Sequence, residues 1–175
     1  MITVSATDLL KIVDATLATK VEPSLSDLNG RSALATVRHL LNFVRVRIER
    51  EGQVLLDDNK GLREVLEQIA EYHHAGGDTG DWTAITTALA AAPISGAGAS
   101  LDEISVEAKA LREALHKGLA RLQKMRGQRG NEPAYRTIRA AIRAHIVKQI
   151  EAEGELVAPA FSDEDLDGKL AWNEM

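Results

Sequence analysis

The chain has 175 residues, 45% hydrophobic and 27% charged, and a formal net charge of −5. This length predicts one domain that can bury a core without covalent staples, and the composition is unlike that of a disordered or membrane-embedded protein. The sequence has no cysteine, which excludes disulfides, thiolate catalysis and cysteine-based zinc sites. Aromatic residues make up only 3%, so the core has to be aliphatic, which favours helices packed on helices over a β sandwich.

The N-terminus lacks the basic and then apolar pattern of a signal peptide, and no apolar run approaches the roughly 18 residues of a membrane-spanning helix. We therefore expect a cytoplasmic protein without a membrane partner. Helical periodicity predicts an all-α, single-domain bundle of five to six helices over residues 1–158, followed by an acidic tail, 159–175, that docks on the bundle.

The predicted helices follow one another between clear start and stop signals. The first covers about 6–20 behind Ser5, the second 31–51, and the third begins near Asp57 or Asp58 after a predicted C-terminal cap at Gly52. A short fourth helix runs from about 81 to 89. The pair Ser100 and Glu103 forms a capping box before the fifth, and the sixth begins near Pro133.

The second helix, about 31–51, is predicted to be the buried centre of the bundle. Its apolar side chains repeat with helical period and also occur outside the main stripe, as in a helix covered on more than one side. The stripe consists of Leu34, Val37, Leu41, Val44 and Ile48, widened by Ala33 and Leu40, with Phe43 and Val46 on other sides.

A polar row runs along the same helix at steps of four, three and four residues: Arg38, Asn42, Arg45 and Glu49. Two guanidinium groups and an amide on one side of a helix are strong donors for a carboxylate or phosphate, so the row is our candidate site for a small anion or an acyl ligand. The alternative is a structural network, in which Arg45 pairs with Glu49 and Arg38 with an acid on a neighbouring helix. The sequence predicts no catalytic residue, resident metal or cofactor.

The first third of the chain resembles a small bacterial helical family whose members occur beside or fused to aminoglycoside-phosphotransferase-like kinases and near acyl-CoA dehydrogenase-like proteins. The similar features are the capped helix with Asp8, Leu9 and Leu10, the turn around Pro23, the pair Gly30 and Arg31, the spacing of Arg38 and Asn42, and the last helix around 138–150. The resemblance implies an accessory or partner protein of such a kinase-like or dehydrogenase-like neighbour, and it brings no catalytic residues.

Charge is distributed unevenly. The segment 112–148 has ten basic and two acidic residues, whereas 149–175 has eight acidic residues and one lysine. Either the tail folds back on the basic segment or that segment has an external acidic partner. Nucleic acid is the less favoured partner, because Tyr135 is the one aromatic residue there that could stack on a base.

Two further patterns have competing interpretations. The pairs Glu71/His74 and Glu113/His116 have the ExxH spacing of carboxylate-bridged metal sites, but their helical positions favour solvated or capping roles. The tail residues Asp163, Asp165, Asp167 and Glu174 fit calcium-loop spacing. Docking of the tail through its apolar residues, Trp172 among them, is the favoured alternative.

Together these patterns predict a non-enzymatic accessory protein that binds another protein or itself. An anion-binding or acyl-binding module built on Arg38, Asn42 and Arg45 is the second hypothesis, and nucleic-acid binding through 112–148 is the third.

Overall fold

The computed structural model describes residues 4–76, 80–94 and 98–158, and over those residues it contains helices and no strand. This confirms the all-α prediction. Five α-helices occur in these ranges: α1 (Ala6–Thr16), α2 (Leu28–Gly76), α3 (Thr83–Ala90), α4 (Leu101–Arg129) and α5 (Pro133–Val157). A π-helical turn (Leu17–Val21) and a 3-10 turn (Glu22–Ser24) connect α1 to α2. The tail, with its possible calcium ligands, lies outside the described residues.

Two helix starts follow the sequence closely. The Ser5 hydroxyl accepts a hydrogen bond from the backbone N–H of Asp8 at 3.1 Å, which satisfies one of the free donors at the start of α1. At α4, Ser100 accepts from the backbone of Glu103 and the Glu103 carboxylate accepts from the backbone of Ser100, at 3.2 and 2.8 Å. The predicted capping box is therefore confirmed.

The predicted break at Gly52 is wrong, because α2 is one helix of 49 residues. Gly52 does not adopt a left-handed conformation; among the described residues Gly98 alone has a positive φ. Side-chain pairs on either side support the continuous helix, with Arg47 and Glu51 at 2.6 Å and Gln53 and Asp57 at 3.0 Å. One glycine costs a helix only about 1 kcal/mol, so flanking helix-forming residues outweigh it. Asp57 and Asp58 lie inside α2 and begin no helix.

The described residues form two compact units. The first comprises 4–51 and 153–158, and the second comprises 52–152 without its undescribed residues. The second unit contains a continuous apolar core supplied by the second half of α2 and by α3, α4 and α5. Its fully buried members are Leu62, Leu66, Ile69, Ile85, Leu111 and Leu122. The predicted limit of the bundle at residue 158 remains a prediction.

The core of the second unit depends on close approach of α3 to α4. A Cβ atom added at Gly118 of α4 would lie 2.9 Å from Cδ1 of Ile85 on α3. Glycine at this position therefore lets Ile85 enter the core, where its side chain is 1% exposed. None of the helices in the described ranges combines the length and apolarity that a bilayer-spanning segment requires.

The prediction of a buried helix over 31–51 is wrong for most of its apolar stripe. Leu34 and Val46 are buried, but Val37, Leu40, Val44 and Ile48 are 44–59% exposed. Periodicity identifies a side of a helix that is apolar enough to need cover, and it does not say whether the cover comes from the same chain. Over the described residues of the first unit, that side of α2 is uncovered.

Candidate functional site

Arg38 of the predicted polar row connects α2 to α1. Its Nε donates to Oδ1 of Asp14 at 2.7 Å and its Nη2 to Oδ2 of the same carboxylate at 3.3 Å. Its Nη1 donates to Glu22 at 3.3 Å. This two-pronged contact between a guanidinium and a carboxylate fixes the side of α2 that faces α1. The structural alternative for Arg38 was pairing with an acid on a neighbouring helix, and Asp14 of α1 is such an acid.

The other three residues of the row contact one another along α2. Arg45 donates to the side-chain oxygen of Asn42 at 2.5 Å, and its Nη1 lies 3.8 Å from a carboxylate oxygen of Glu49. These contacts match the structural alternative to a ligand site, in which Arg45 pairs with Glu49. Because the carboxylates of Asp14, Glu22 and Glu49 are 36–50% exposed, the row is not closed off from solvent. Ligand binding by Arg38, Asn42, Arg45 and Glu49 remains a prediction.

A well-enclosed polar cluster lies in the second unit and centres on Glu107 of α4. Its carboxylate is buried and accepts hydrogen bonds from Nε of Arg63 at 2.8 Å and from the Asn59 amide at 3.1 Å. Nη2 of Arg63 makes a further short contact with the same carboxylate. The backbone N–H of Ile94 donates to it at 3.3 Å. A buried carboxylate with this many donors holds α2, α4 and the segment before α4 in one arrangement.

A second acid, Asp58 of α2, joins α4 and α5. Its Oδ2 accepts from Arg112 at 2.6 Å, and its Oδ1 lies 3.2 Å from Nε2 of His145. Burial by itself raises the pKa of the Asp58 carboxyl, but the neighbouring His145 and Arg112 outweigh it and bring the pKa below its ordinary value. His145 is buried as well.

Sequence reasoning placed none of Asn59, Arg63, Glu107 and Arg112 in a cluster. One pattern could have found it: Glu107 interrupts the stripe of Ile104, Ala108 and Leu111, where a charge has to be paired. The cluster has the chemistry of a buried hydrogen-bonded network that fixes how the helices pack. In the described residues no three potential metal ligands come together, the ExxH pairs included, and Glu113 instead pairs with Lys117 at 2.8 Å.

The exposed feature that stands out is the apolar side of the hairpin formed by α1 and the first half of α2. Seven apolar side chains are each about half exposed: Leu9, Ile12, Val13, Val37, Leu40, Val44 and Ile48. Successive residues of a helix are rotated by about 100°. Leu9, Ile12 and Val13 therefore lie on one side of α1. The same rotation puts the other four on one side of α2.

These two sides belong to one surface. Asp14 of α1 and Arg38 of α2 mark the sides on which the two helices touch. Viewed from the N-terminus of each helix, the apolar side lies about a third of a turn from that residue, and the direction of rotation is the same in both helices. Because the connection between α1 and α2 is short and Asp14 contacts Arg38 across it, we infer that the two helices are antiparallel. Because the N-termini of antiparallel helices lie at opposite ends, the two rotations are opposite when the hairpin is viewed from one end. The two apolar sides therefore lie on the same face of the hairpin. We call these seven residues the hairpin face.

Comparison with known proteins finds no matching family model, no similar curated protein and no similar solved structure. The resemblance to the bacterial helical family therefore remains a prediction.

Proposed function

We propose that this protein is a non-enzymatic helical interaction protein that associates with a second copy of itself through the hairpin face. The observation that carries the proposal is the exposure of seven apolar side chains on one face of two adjacent helices. Apolar surface in contact with water is unfavourable by about 25 cal/mol for each Å². Scattered apolar residues are normal on a protein surface, but seven of them on one face of two adjacent helices are typical of an interface.

A second hairpin is the occupant best suited to this face. Two antiparallel helices that expose one apolar side each form half of a four-helix bundle, and another such pair completes it. A two-fold axis places the same patch on both partners, so a largely apolar surface is complementary to itself. The face needs no specific charged partner.

Charge also favours pairing of like with like. Residues 4–51 contain seven basic and six acidic side chains, which leaves a net charge of +1, whereas the whole chain carries −5. Two hairpins brought together therefore repel each other little. The ion pair of Arg47 with Glu51, close to the apolar side of α2, joins residues of one helix and can stay paired at the interface.

The first test is the molar mass in solution as a function of protein concentration, measured by analytical ultracentrifugation from about 1 to 100 μM, the range of moderate protein–protein affinity. We expect the wild-type protein to pass from monomer to dimer over this range. Leu40→Glu and Ile12→Glu each place a charge in the interface, and each should leave the protein monomeric. Circular dichroism should show unchanged helix content, because both side chains are exposed.

Val106→Glu is the matched control, since Val106 is an exposed valine on α4 in the second unit; it should dimerise like the wild type. A further variant, Leu40→Lys, should be monomeric alone and should form a heterodimer when mixed with Leu40→Glu. A wild-type protein that is monomeric throughout contradicts the proposal, as does loss of association in Val106→Glu.

A further inference from the structure

Three arginines form a row on the surface of α5. Arg136, Arg139 and Arg143 are separated by three and four residues, so they lie on one side of the helix. Arg136 and Arg143 are exposed, and Arg139 is partly buried. Within the residues that the structure describes, none of the three makes an ion pair or a side-chain hydrogen bond. We call these three residues the arginine row.

A row of acids with the same spacing lies on the second half of α2. Glu64, Glu67 and Glu71 are also separated by three and four residues, and all three are exposed. Among the described residues they too have no ion pair and no side-chain hydrogen bond. We call them the glutamate row. At a rise of about 1.5 Å per residue, each row spans about 10 Å, so every charge of one row can face a charge of the other.

The two rows of one molecule do not face each other. His145 marks the side of α5 that is turned toward α2, because its ring lies beside Asp58 and against Gly61. At about 100° of rotation per residue, the arginine row is centred about 150° around α5 from His145. The arginines therefore project away from α2, and an acidic partner for them has to come from another molecule.

We infer that the arginine row binds the glutamate row of a second copy of this protein. The two rows match in number and spacing and are opposite in charge, which is the electrostatic complementarity that two binding surfaces need. Residues 52–152 contain thirteen basic and thirteen acidic residues. The second units of two copies therefore carry no net charge that would oppose the contact.

This contact is weak and depends on salt. Exposed ion pairs each contribute little and are screened by ions in solution, so we expect a dissociation constant of about 1 mM at physiological ionic strength and a lower one at low ionic strength. The two rows are different patches, so the contact is heterologous and builds open chains or rings of copies. The inference does not rest on the hairpin face. Where that face joins copies in pairs, the rows join the pairs into larger assemblies.

Static light scattering of the Leu40→Glu variant tests the inference, because this substitution disables the hairpin face. Between about 0.1 and 1 mM protein, we expect the apparent molar mass to rise with concentration at an ionic strength of about 20 mM. It should stay at the monomer value at about 0.3 M, where the Debye length is about 6 Å. Apolar association through the hairpin face does not weaken with salt, so failure of that proposal gives a different result.

Two charge reversals in the Leu40→Glu background test the two rows separately. Arg139→Glu and Glu67→Arg should each weaken the association by about tenfold, because each places like charges opposite one another. A mixture of the two variants should associate again, since one supplies an intact glutamate row and the other an intact arginine row. Lys148→Glu is the matched control, because it makes the same change of charge at an exposed lysine on another side of α5; it should associate like the background protein.

The inference is overturned if the Leu40→Glu protein stays monomeric at low ionic strength, or if Lys148→Glu weakens the association as much as Arg139→Glu does. It is also overturned if Arg139→Glu weakens the association and Glu67→Arg does not, because the arginine row then binds a different acidic surface. A mixture of the two reversed variants that stays monomeric has the same consequence.

Discussion

Asp58 and Glu107 are the two buried acids among the residues that the structure describes. An isolated charge in a protein interior is strongly unfavourable, whereas a paired and hydrogen-bonded charge is tolerated. Glu107 has Arg63, Asn59 and a backbone N–H as donors, and Asp58 has Arg112 and His145. Asp58 lies on α2 and has partners on α4 and α5, and Glu107 lies on α4 and has partners on α2, so the two networks fix how α2, α4 and α5 pack. The two networks determine which arrangement the helices adopt more than they add to the free energy of unfolding.

Replacement of Asp58 by asparagine should make stability less dependent on pH in the acidic range. The pKa of Asp58 is lowered by folding from its ordinary 3.8, so its contribution is complete above pH 4 and is lost as pH falls through the lower folded value. We expect Asp58→Asn to cost about 1–3 kcal/mol near neutral pH. The difference from the wild type should shrink below pH 4. Urea unfolding at pH 7, 5 and 3.5 measures both quantities.

The neighbouring Asp57 provides the control for this experiment. It is exposed, and its carboxylate accepts a hydrogen bond from Gln53 at 3.0 Å. Asp57→Asn should therefore change the free energy of unfolding by less than about 0.5 kcal/mol at every pH. If the two variants lose equal stability, or if the loss in Asp58→Asn is the same at pH 3.5 as at pH 7, the pairing of Asp58 with Arg112 and His145 is not what stabilises this site.

At the scale of the helices, α2 shows what local patterns can and cannot determine. The caps at Ser5 and Ser100 are predictable, because a side-chain oxygen next to free N–H groups acts locally. The continuity of α2 through Gly52 is not predictable in the same way. The helical penalty of one glycine is small, and side-chain pairs and packing of the flanking turns decide whether the helix continues. The same glycine would have ended a helix with weaker flanks.

Two glycines of α2 should respond to alanine in opposite directions. A Cβ at Gly52 meets nothing within 4 Å, so Gly52→Ala gains helix propensity and should raise the free energy of unfolding by up to about 1 kcal/mol. A Cβ at Gly61 would lie 2.9 Å from Nδ1 of His145, a buried ring held beside Asp58. Gly61→Ala should therefore lower it by about 1–3 kcal/mol. Thermal and urea unfolding give the signs, and changes of the same sign would contradict this account of α2.

On the scale of the whole molecule, apolar burial is divided unequally. The second unit has a continuous core, whereas the buried apolar residues described in the first are Leu34, Val46 and Leu156. The sequence predicted the stripe on residues 31–51 and the all-α class, since both depend on helical period. It could not predict that the stripe stays exposed, because the amount of cover depends on residues far along the chain or on another chain. The clusters around Glu107 and Asp58 were missed for the same reason.

This division predicts that self-association adds to the stability of an α1 that is already helical in the monomer. With few buried contacts of its own, α1 belongs to the part of the molecule that opens at low free-energy cost, and a partner that binds the closed form slows opening by mass action. Above the dissociation constant, the monomer fraction of a dimerising protein falls with the square root of concentration. Amide exchange in α1 should then slow by about threefold for each tenfold rise in protein concentration.

Hydrogen exchange followed by mass spectrometry can compare peptides from α1 with peptides covering Leu62 to Ile69, which line the core of the second unit. The core peptides should exchange slowly at every concentration. Leu40→Glu should abolish the concentration dependence in α1 and leave the core peptides unchanged, because Leu40 lies on the exposed hairpin face. Exchange in α1 that is equally slow in dilute and concentrated wild-type protein would mean that the hairpin is stable alone, and that its apolar face is not what holds α1 in place.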